Sequence, residues 1–358
     1  MNLTLSLLSI IEKRIIGLYL LRPLIFTLLI LLAGCASLPE NYEREPSWKL
    51  DTSDSVLATW FAGELAAHPG QSGAYPLNQG IEALASRVLL ARKAQITLDL
   101  QYYIWHSDEA GRLLLKEVLD AADRGVRVRL LLDDLGVGQA NDDIFIALNS
   151  HPNLSVRLFN PIASRDARTM GLLSDARRLN HRMHDKSMTA DNTLTVVGGR
   201  NVGNEYFALD EGINFADVDV FAAGPAAADV TGSFDVFWNS NAAIPISAFN
   251  EGSADPARYK REREQLDAFV RDNCAPYYAA MEATPFTRRM QNYDLPFFWG
   301  EISVLYDSPD KMLAKDHSDL LLWQLADVLG QSKSDLLIIS PYFVPGKEGT
   351  KKLLEAVQ

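Results

Sequence analysis

The chain has 358 residues, 47% of them hydrophobic and 22% charged, with a formal net charge of −12. That length can bury a large core in one or two domains, and the composition is that of a globular protein. The acidic balance excludes a general nucleic-acid coat, which needs a basic surface, and two cysteines exclude a disulfide framework.

The first segment reads as a leader. Lys13, Arg14 and Arg22 lead an apolar run that reaches Leu32 and ends in Leu32-Ala33-Gly34-Cys35. A basic start, an apolar middle and small residues before the cut make a secretory signal over residues 1–34. A Cys directly after Leu-Ala-Gly resembles the bacterial lipoprotein box, in which that Cys is lipidated and becomes the first residue. Ala36 and Ser37 follow it rather than Asp, which in such proteins implies sorting to the outer membrane. The competing reading is an uncleaved anchor, but the run is short for a membrane span. Removal of Glu12, Lys13, Arg14 and Arg22 with the leader brings the mature chain to about −14. With Cys35 lipidated, Cys274 has no partner within the chain. Residues 35–50 are polar and contain proline, and read as a tether.

Helical periodicity covers residues 54–67 and 78–93, divided by the Gly/Pro/Ser-rich stretch 69–77. A strand over 96–105, a helix over 110–122 and a strand over 126–132 make a β-α-β unit with a parallel pairing. A short strand follows at 154–158. Two more, 182–189 and 193–197, are joined by a turn at Asp191-Asn192, and another spans 216–222. The fold class is therefore α/β, a mixed sheet flanked by helices, with a first domain over 51–249. Residues 250–293 are charged and helical in pattern and read as a solvated connector. A strand pattern resumes from Glu301, so that 294–358 reads as the incomplete beginning of a second, similar half. The run LLIISPYFVP (336–345), Gly349 and KKLLEAV (351–357) repeat the order of LDLQYYIW (98–105), Gly111 and LLLKEVL (113–119).

Residues 181–201, HRMHDKSMTADNTLTVVGGRN, carry the chemistry. On a strand, His184 and Lys186 share one face. Asp191 reverses the chain, Gly198 and Gly199 let backbone approach a ligand closely, and Asn201 falls near the same end of the sheet. Seven basic residues, from Arg165 to Arg200, make this region locally positive and attractive to an anionic head group. The His184 imidazole is the expected nucleophile at phosphorus. Lys186 and Asn201 are expected to stabilise charge on the non-bridging oxygens. Asp217, with Asp219 second, is the candidate carboxylate to hold the other ring nitrogen. Asp191 is grouped with the catalytic residues by spacing but is expected to brace its loop. No metal or other cofactor is called for. His181 reads as a supporting or surface residue, His106 as an undecided site candidate, Asp133-Asp134 as a cap or a site-edge pair with the cap favoured, Asp108 as a loop or cap residue, and Tyr102, Tyr103 and Trp105 as core.

The string H-x-K-x4-D-x6-G-G-x-N resembles the signature of the phospholipase D superfamily. QYYIWHSDEAG, HRMHDKSMTAD and GGRNVGNEYF are similar to the cardiolipin synthase C-like bacterial branch. The resemblance covers roughly residues 75–358. It implies two similar α/β halves whose motifs meet at one site, a phosphohistidine intermediate, and a second His that protonates the leaving alcohol and activates the acceptor. It also implies a phospholipid substrate, phosphatidylglycerol or phosphatidylethanolamine, and transfer or hydrolysis, with cardiolipin synthesis among the outcomes. The departure is that no other H-x-K occurs: His317 is followed by Ser318 and Asp319. The expectation is a truncated two-motif protein, weakly active or inactive alone, held by lipidated Cys35 on an envelope membrane. A homodimer is the other route to a complete site. The alternatives are a phosphodiester nuclease, which the negative charge disfavours, and a lipoprotein that only binds lipid head groups.

Overall fold

The structure, a computed structural model, describes residues 37–137, 142–165, 168–209, 212, 214–249, 255–292, 294–312, 321–338 and 344–356. The leader, Cys35 and Tyr342 lie outside the described residues. Contacts divide the chain into two compact units, 40–161 with 177–358, and 1–39 with 162–176. In the smaller unit, Arg168–Ser174 form a short helix. No helix among the described residues is long and apolar enough to cross a membrane.

The larger unit is built on one nine-stranded mixed sheet. Its strands are β1 (Ser72–Leu77), β2 (Thr97–Tyr102), β3 (Arg127–Asp133), β4 (Leu154–Phe159), β5 (Ser187–Ala190), β6 (Leu194–Gly198), β7 (Asp219–Ala223), β8 (Ala243–Pro245) and β9 (Phe298–Gly300). The order is β8-β4-β3-β2-β5-β6-β7-β1-β9. Among the described strands, parallel pairing is confined to β2 with β3 and β3 with β4, as the expected β-α-β unit requires. Helices of eight residues or more are α1 (Val56–Ala67), α2 (Gly80–Lys93), α3 (Glu109–Asp123), α4 (Pro225–Trp238), α5 (Pro256–Asn273), α6 (Ala275–Glu282), α7 (Pro285–Asn292), α8 (Leu321–Gly330) and α9 (Gly346–Ala356).

Strand alternation sorts the two faces of the sheet. Leu98, Leu100 and Tyr102 of β2 join Val128, Leu130 and Leu132 of β3 in the main core, covered by α2 and α3. The opposite face carries Asp99 and Arg129 and is covered by α4, through Phe234, Phe237 and Trp238. Burying charge there requires full pairing. Arg129 makes two bonds of 2.7 Å to the Asp99 carboxylate, a third contact of 2.7 Å to Asp235, and lies over the Phe234 ring.

Three stretches depart from the sequence reading. The Gly/Pro/Ser-rich 69–77 holds β1, paired with β7 and β9. Its Pro76 is tolerated because β9 pairs only with Ser72–Ala74, leaving an open edge where a missing N–H costs nothing. Residues 250–293 are more than a solvated connector. Leu266, Val270, Met281, Phe286 and Met290 of α5, α6 and α7 are buried in the main core, as is Cys274, whose thiol is pushed up to about 11 by burial. The tether is docked from Arg44 onwards. Carbonyls of Glu45, Ser47 and Trp48 accept from Arg157, Arg129 and Arg127, and the Lys49 N–H donates to Asp235. Residues 301–308 and 336–338 carry no regular secondary structure, and 339–343 lie outside the described residues.

Asp99→Ala leaves a fully buried guanidinium with one carboxylate instead of two. It is expected to lower unfolding free energy by about 3 kcal/mol in a urea titration. A loss within the scatter of an exposed-site control would contradict this account of the polar face.

Candidate active site

One edge of the sheet gathers the candidate residues. Strands β2, β3 and β6 end there, and β5 and β7 begin there. The sequence places His184 and Lys186 within a strand starting at Arg182. The structure starts β5 at Ser187, because its ladder with β2 ends at the Gln101–Ser187 pair. His184 and Lys186 therefore stand in the irregular approach to β5, where a side chain can face a ligand rather than the core.

Tyr103, one residue beyond β2, joins the two. The exposed His184 ring lies 4.2 Å from the Tyr103 ring, centre to centre, at a 35° tilt. Lys186 Nζ sits 5.7 Å from the centre of the same ring and donates to the His184 carbonyl at 2.6 Å. Burial pulls the Lys186 ammonium below the usual lysine value, opposed by the carboxylates of Asp185, Asp217, Asp219 and Asp133. Tyr103 thus contacts both His184 and Lys186 and is not plain core, whereas Tyr102 and Trp105 are fully buried as expected.

Asp133 fixes the segment just before His184. Its carboxylate accepts from the Met183 N–H and the Arg182 guanidinium, both at 3.0 Å, and from the Leu135 N–H. The last bond is the expected cap; the first two tie β3 to residues 182–183. Burial raises the Asp133 carboxyl to about 6, with Arg182 and the two backbone N–H groups holding it down.

The paired glycines are required by two carboxylates. A Cβ at Gly198 would stand 2.0 Å from Asp219 Oδ1, and one at Gly199 would stand 2.2 Å from Asp217 Oδ2. Asp219 is fully buried and pairs with Arg87 of α2 at 2.9 Å. Asp217 precedes β7, which begins at Asp219 and not at 216, and its carbonyl accepts from Arg200. Asn201 is buried, and its Oδ1 accepts the Ile104 N–H at 3.0 Å. The next residue, Val202, exchanges backbone bonds with Ile104 and His106, closing the Asn201 loop onto the loop after β2.

Asp191 does not reach this edge. It follows the last residue of β5, on the order of 20 Å along the strand from His184 by the rise per residue. Its buried carboxylate accepts the N–H groups of Gln95, Ile96 and Thr97. It braces the hairpin turn, in which Asp191 and Asn192 both take positive φ. Asp108 caps α3 as expected, its Oδ1 accepting the Gly111 N–H. His181 Nδ1 donates to the Arg177 carbonyl. His106 pairs with Glu205 at 3.2 Å, and with Asp108 these are the described residues whose ligand atoms cluster tightly enough, within 4.8 Å, to hold a cation. Both Asp108 oxygens already accept backbone N–H groups, from Gly111 and Asn204, so the cluster is accounted for as a latch between the two loops.

Sequence reasoning put Tyr103 in the core and favoured a cap over a site-edge role for Asp133. The signal for Tyr103 lay in pairing the two strand patterns: with Gln101 opposite Ser187, the residue two further on faces the His184 segment. The tie from Asp133 to residues 182–183 had no local signal, because those partners lie about fifty residues away.

Residues 89–238 match the family described as cardiolipin synthase, PLD-like domain. Over these residues the chain carries a phospholipase D-like domain. Cardiolipin synthase C of Escherichia coli (strain K12) is 42% identical over 295 residues, 81% of this chain and 61% of that protein. An uncharacterised protein of Helicobacter pylori (strain 26695) is 33% identical over 308 residues, 84% of this chain and 60% of that one. The chain thus spans about three-fifths of the length of these curated relatives. Among solved structures, phosphatidylserine synthase of Haemophilus influenzae Rd KW20 aligns with a TM-score of 0.40 and 19% identity, over 56% of this chain and 43% of that one.

The Asp133 carboxyl ionises near 3.8 when unfolded and near 6 when folded. It therefore contributes stability that is full below about pH 4 and lost as pH rises through 6. Between pH 4 and 7, wild type is expected to lose on the order of 2 kcal/mol relative to Asp133→Asn in denaturant titrations. Parallel stability profiles for the two proteins would refute this.

Proposed function

We propose that this chain carries the nucleophilic half of a phospholipase D-type phosphatidyl transfer. The observation that carries the reading is His184, exposed on Tyr103, with Lys186 beside it and its approach pinned by Asp133. An imidazole nitrogen attacks phosphorus. An N–P bond forms as the P–O bond to the head-group alcohol breaks, and the leaving oxygen takes up a proton. In the second step the acceptor hydroxyl gives up its proton, its oxygen bonds to phosphorus, and the imidazole leaves. Water as acceptor gives hydrolysis; a lipid head-group hydroxyl gives transfer.

The other residues take supporting roles. Lys186 supplies positive charge to the non-bridging oxygens. With its oxygen committed to Ile104, Asn201 offers its amide NH2 as a donor. Asp217, packed on Gly199 and acting on Lys186, is the carboxylate assigned to steady the His184 ring. Asp191 acts through the fold. The substrate class is an anionic or zwitterionic bacterial phospholipid, with phosphatidylglycerol and phosphatidylethanolamine as first choices, consistent with the 42% identity to a cardiolipin synthase. Lipidation at Cys35 would keep the edge near its substrate on an envelope membrane. The proton for the leaving alcohol comes from water or from a second H-x-K motif; these 358 residues carry one.

Head-group release from phosphatidylglycerol vesicles tests this reading. Slow turnover is expected, reduced at least a hundredfold by His184→Ala, while single-stranded DNA is left intact. A release rate unchanged by His184→Ala, or faster cleavage of DNA than of lipid, would overturn it.

A further inference from the structure

The docked strap covers part of a cavity that the chemistry above does not use. It measures about 370 Å³ and lies on the polar face of the sheet, lined by Arg127, Arg129, Arg157, Asn149, Ser155 and Trp238. Pairing of β3 with β4 sets Arg129 opposite Ser155 and Leu131 opposite Arg157, so the three guanidinium groups converge on one patch. Each is oriented by a strap carbonyl: Arg157 by Glu45, Arg129 by Ser47 and Arg127 by Trp48. Carbonyls fix direction without cancelling charge.

The charge is only partly cancelled by anything else. Arg129 has Asp99 and Asp235, but among the described residues no carboxylate pairs with Arg127 or Arg157. Glu43 and Glu45 stand exposed on the rim. Arg127 has two further N–H groups, at Nε and Nη2, buried without a hydrogen-bond partner. Unpartnered buried donors on a cation are costly unless an anion completes them. Burial pushes the Arg157 guanidinium down to about 10, helped by Arg44 and Arg129, and lowers Arg127 in the same direction.

We propose that this cavity is a second anion site, which binds a phosphate-bearing molecule. The planar forks of Arg127 and Arg157 suit two oxygens of one phosphate, and Asn149 and Ser155 add polar groups. The volume exceeds that of bare phosphate and leaves room for a small ester group. Such a ligand bridges the strap and the sheet, so its binding stabilises the docked strap. The phosphate could belong to a free ester or to a lipid head group.

The test uses the full chain carrying Lys186→Ala, so that phosphate held at the catalytic edge does not contribute. Inorganic phosphate and glycerol phosphate are titrated calorimetrically against chloride at matched ionic strength. Co-sedimentation with phosphatidylglycerol/phosphatidylcholine vesicles, against phosphatidylcholine alone, asks whether a lipid head group is accepted. Saturable one-to-one binding is expected, weakened at least tenfold by Arg127→Gln. Ser155→Glu, at an exposed position on the cavity wall, places a carboxylate among the arginines and is expected to abolish binding while thermal unfolding stays cooperative. Soluble ligands alone binding would assign a free phosphate ester; vesicles binding, with the same loss in Ser155→Glu, would assign a lipid head group. No saturable binding of either kind, or equal affinity in both variants, overturns the proposal.

Discussion

Three backbone N–H groups, of Gln95, Ile96 and Thr97, converge on the buried carboxylate of Asp191. They belong to the start of β2, and Asp191 belongs to the turn between β5 and β6. The contact therefore locks two chain segments about ninety-five residues apart into one register. A slip of one residue would turn every side chain of β5 to the wrong face. In the locked register, Leu98 faces Ala190 and Gln101 faces Ser187. The chain beyond each end then brings Tyr103 to the His184 segment. Asp191 thus governs the site from the far end of a strand, which explains how a residue in the motif's spacing need not touch a substrate.

The second constraint is electrostatic. Charged groups are buried on both sides of the active edge, and each is held by a specific neighbour. Arg87 pairs with Asp219 beneath the glycine pair, and Asp133 binds Arg182 and the Met183 N–H. These contacts hold the backbone on either side of His184 while its ring stays exposed. A nucleophile needs that combination: a fixed approach and an open face. The glycines fit the same logic, since carboxylates occupy the space where their side chains would stand.

Much of the fold was legible in the sequence. The β-α-β unit, the Asp191-Asn192 turn and the helices α1 to α3 follow from apolar periodicity and turn chemistry, which are local properties. Strand β1 was not legible, because Gly73 and Pro76 read as loop residues until β9 is known to stop at Ala74. The three helices over 256–292 read as solvated from their charge, although sparse apolar residues such as Leu266 and Phe286 are enough to seat them. At the site, His184 and Lys186 were readable from spacing. The choice between Tyr102 and Tyr103 was not, since neighbouring residues on a strand differ only in which face they take. The docked strap had no sequence signal, because it is held by backbone carbonyls that every residue possesses.

The central claim is that His184 becomes covalently bonded to phosphorus. Trapping with phospholipid labelled at its phosphate, quenched in alkaline denaturant and followed by peptide mapping at alkaline pH, tests it most directly. The account predicts acid-labile label on the peptide that contains His184, absent in His184→Ala and retained in a conservative Asp191→Asn variant that still folds. Lipid bound by the wild-type chain with no label on His184 would contradict it, leaving a domain that holds head groups without reacting with them.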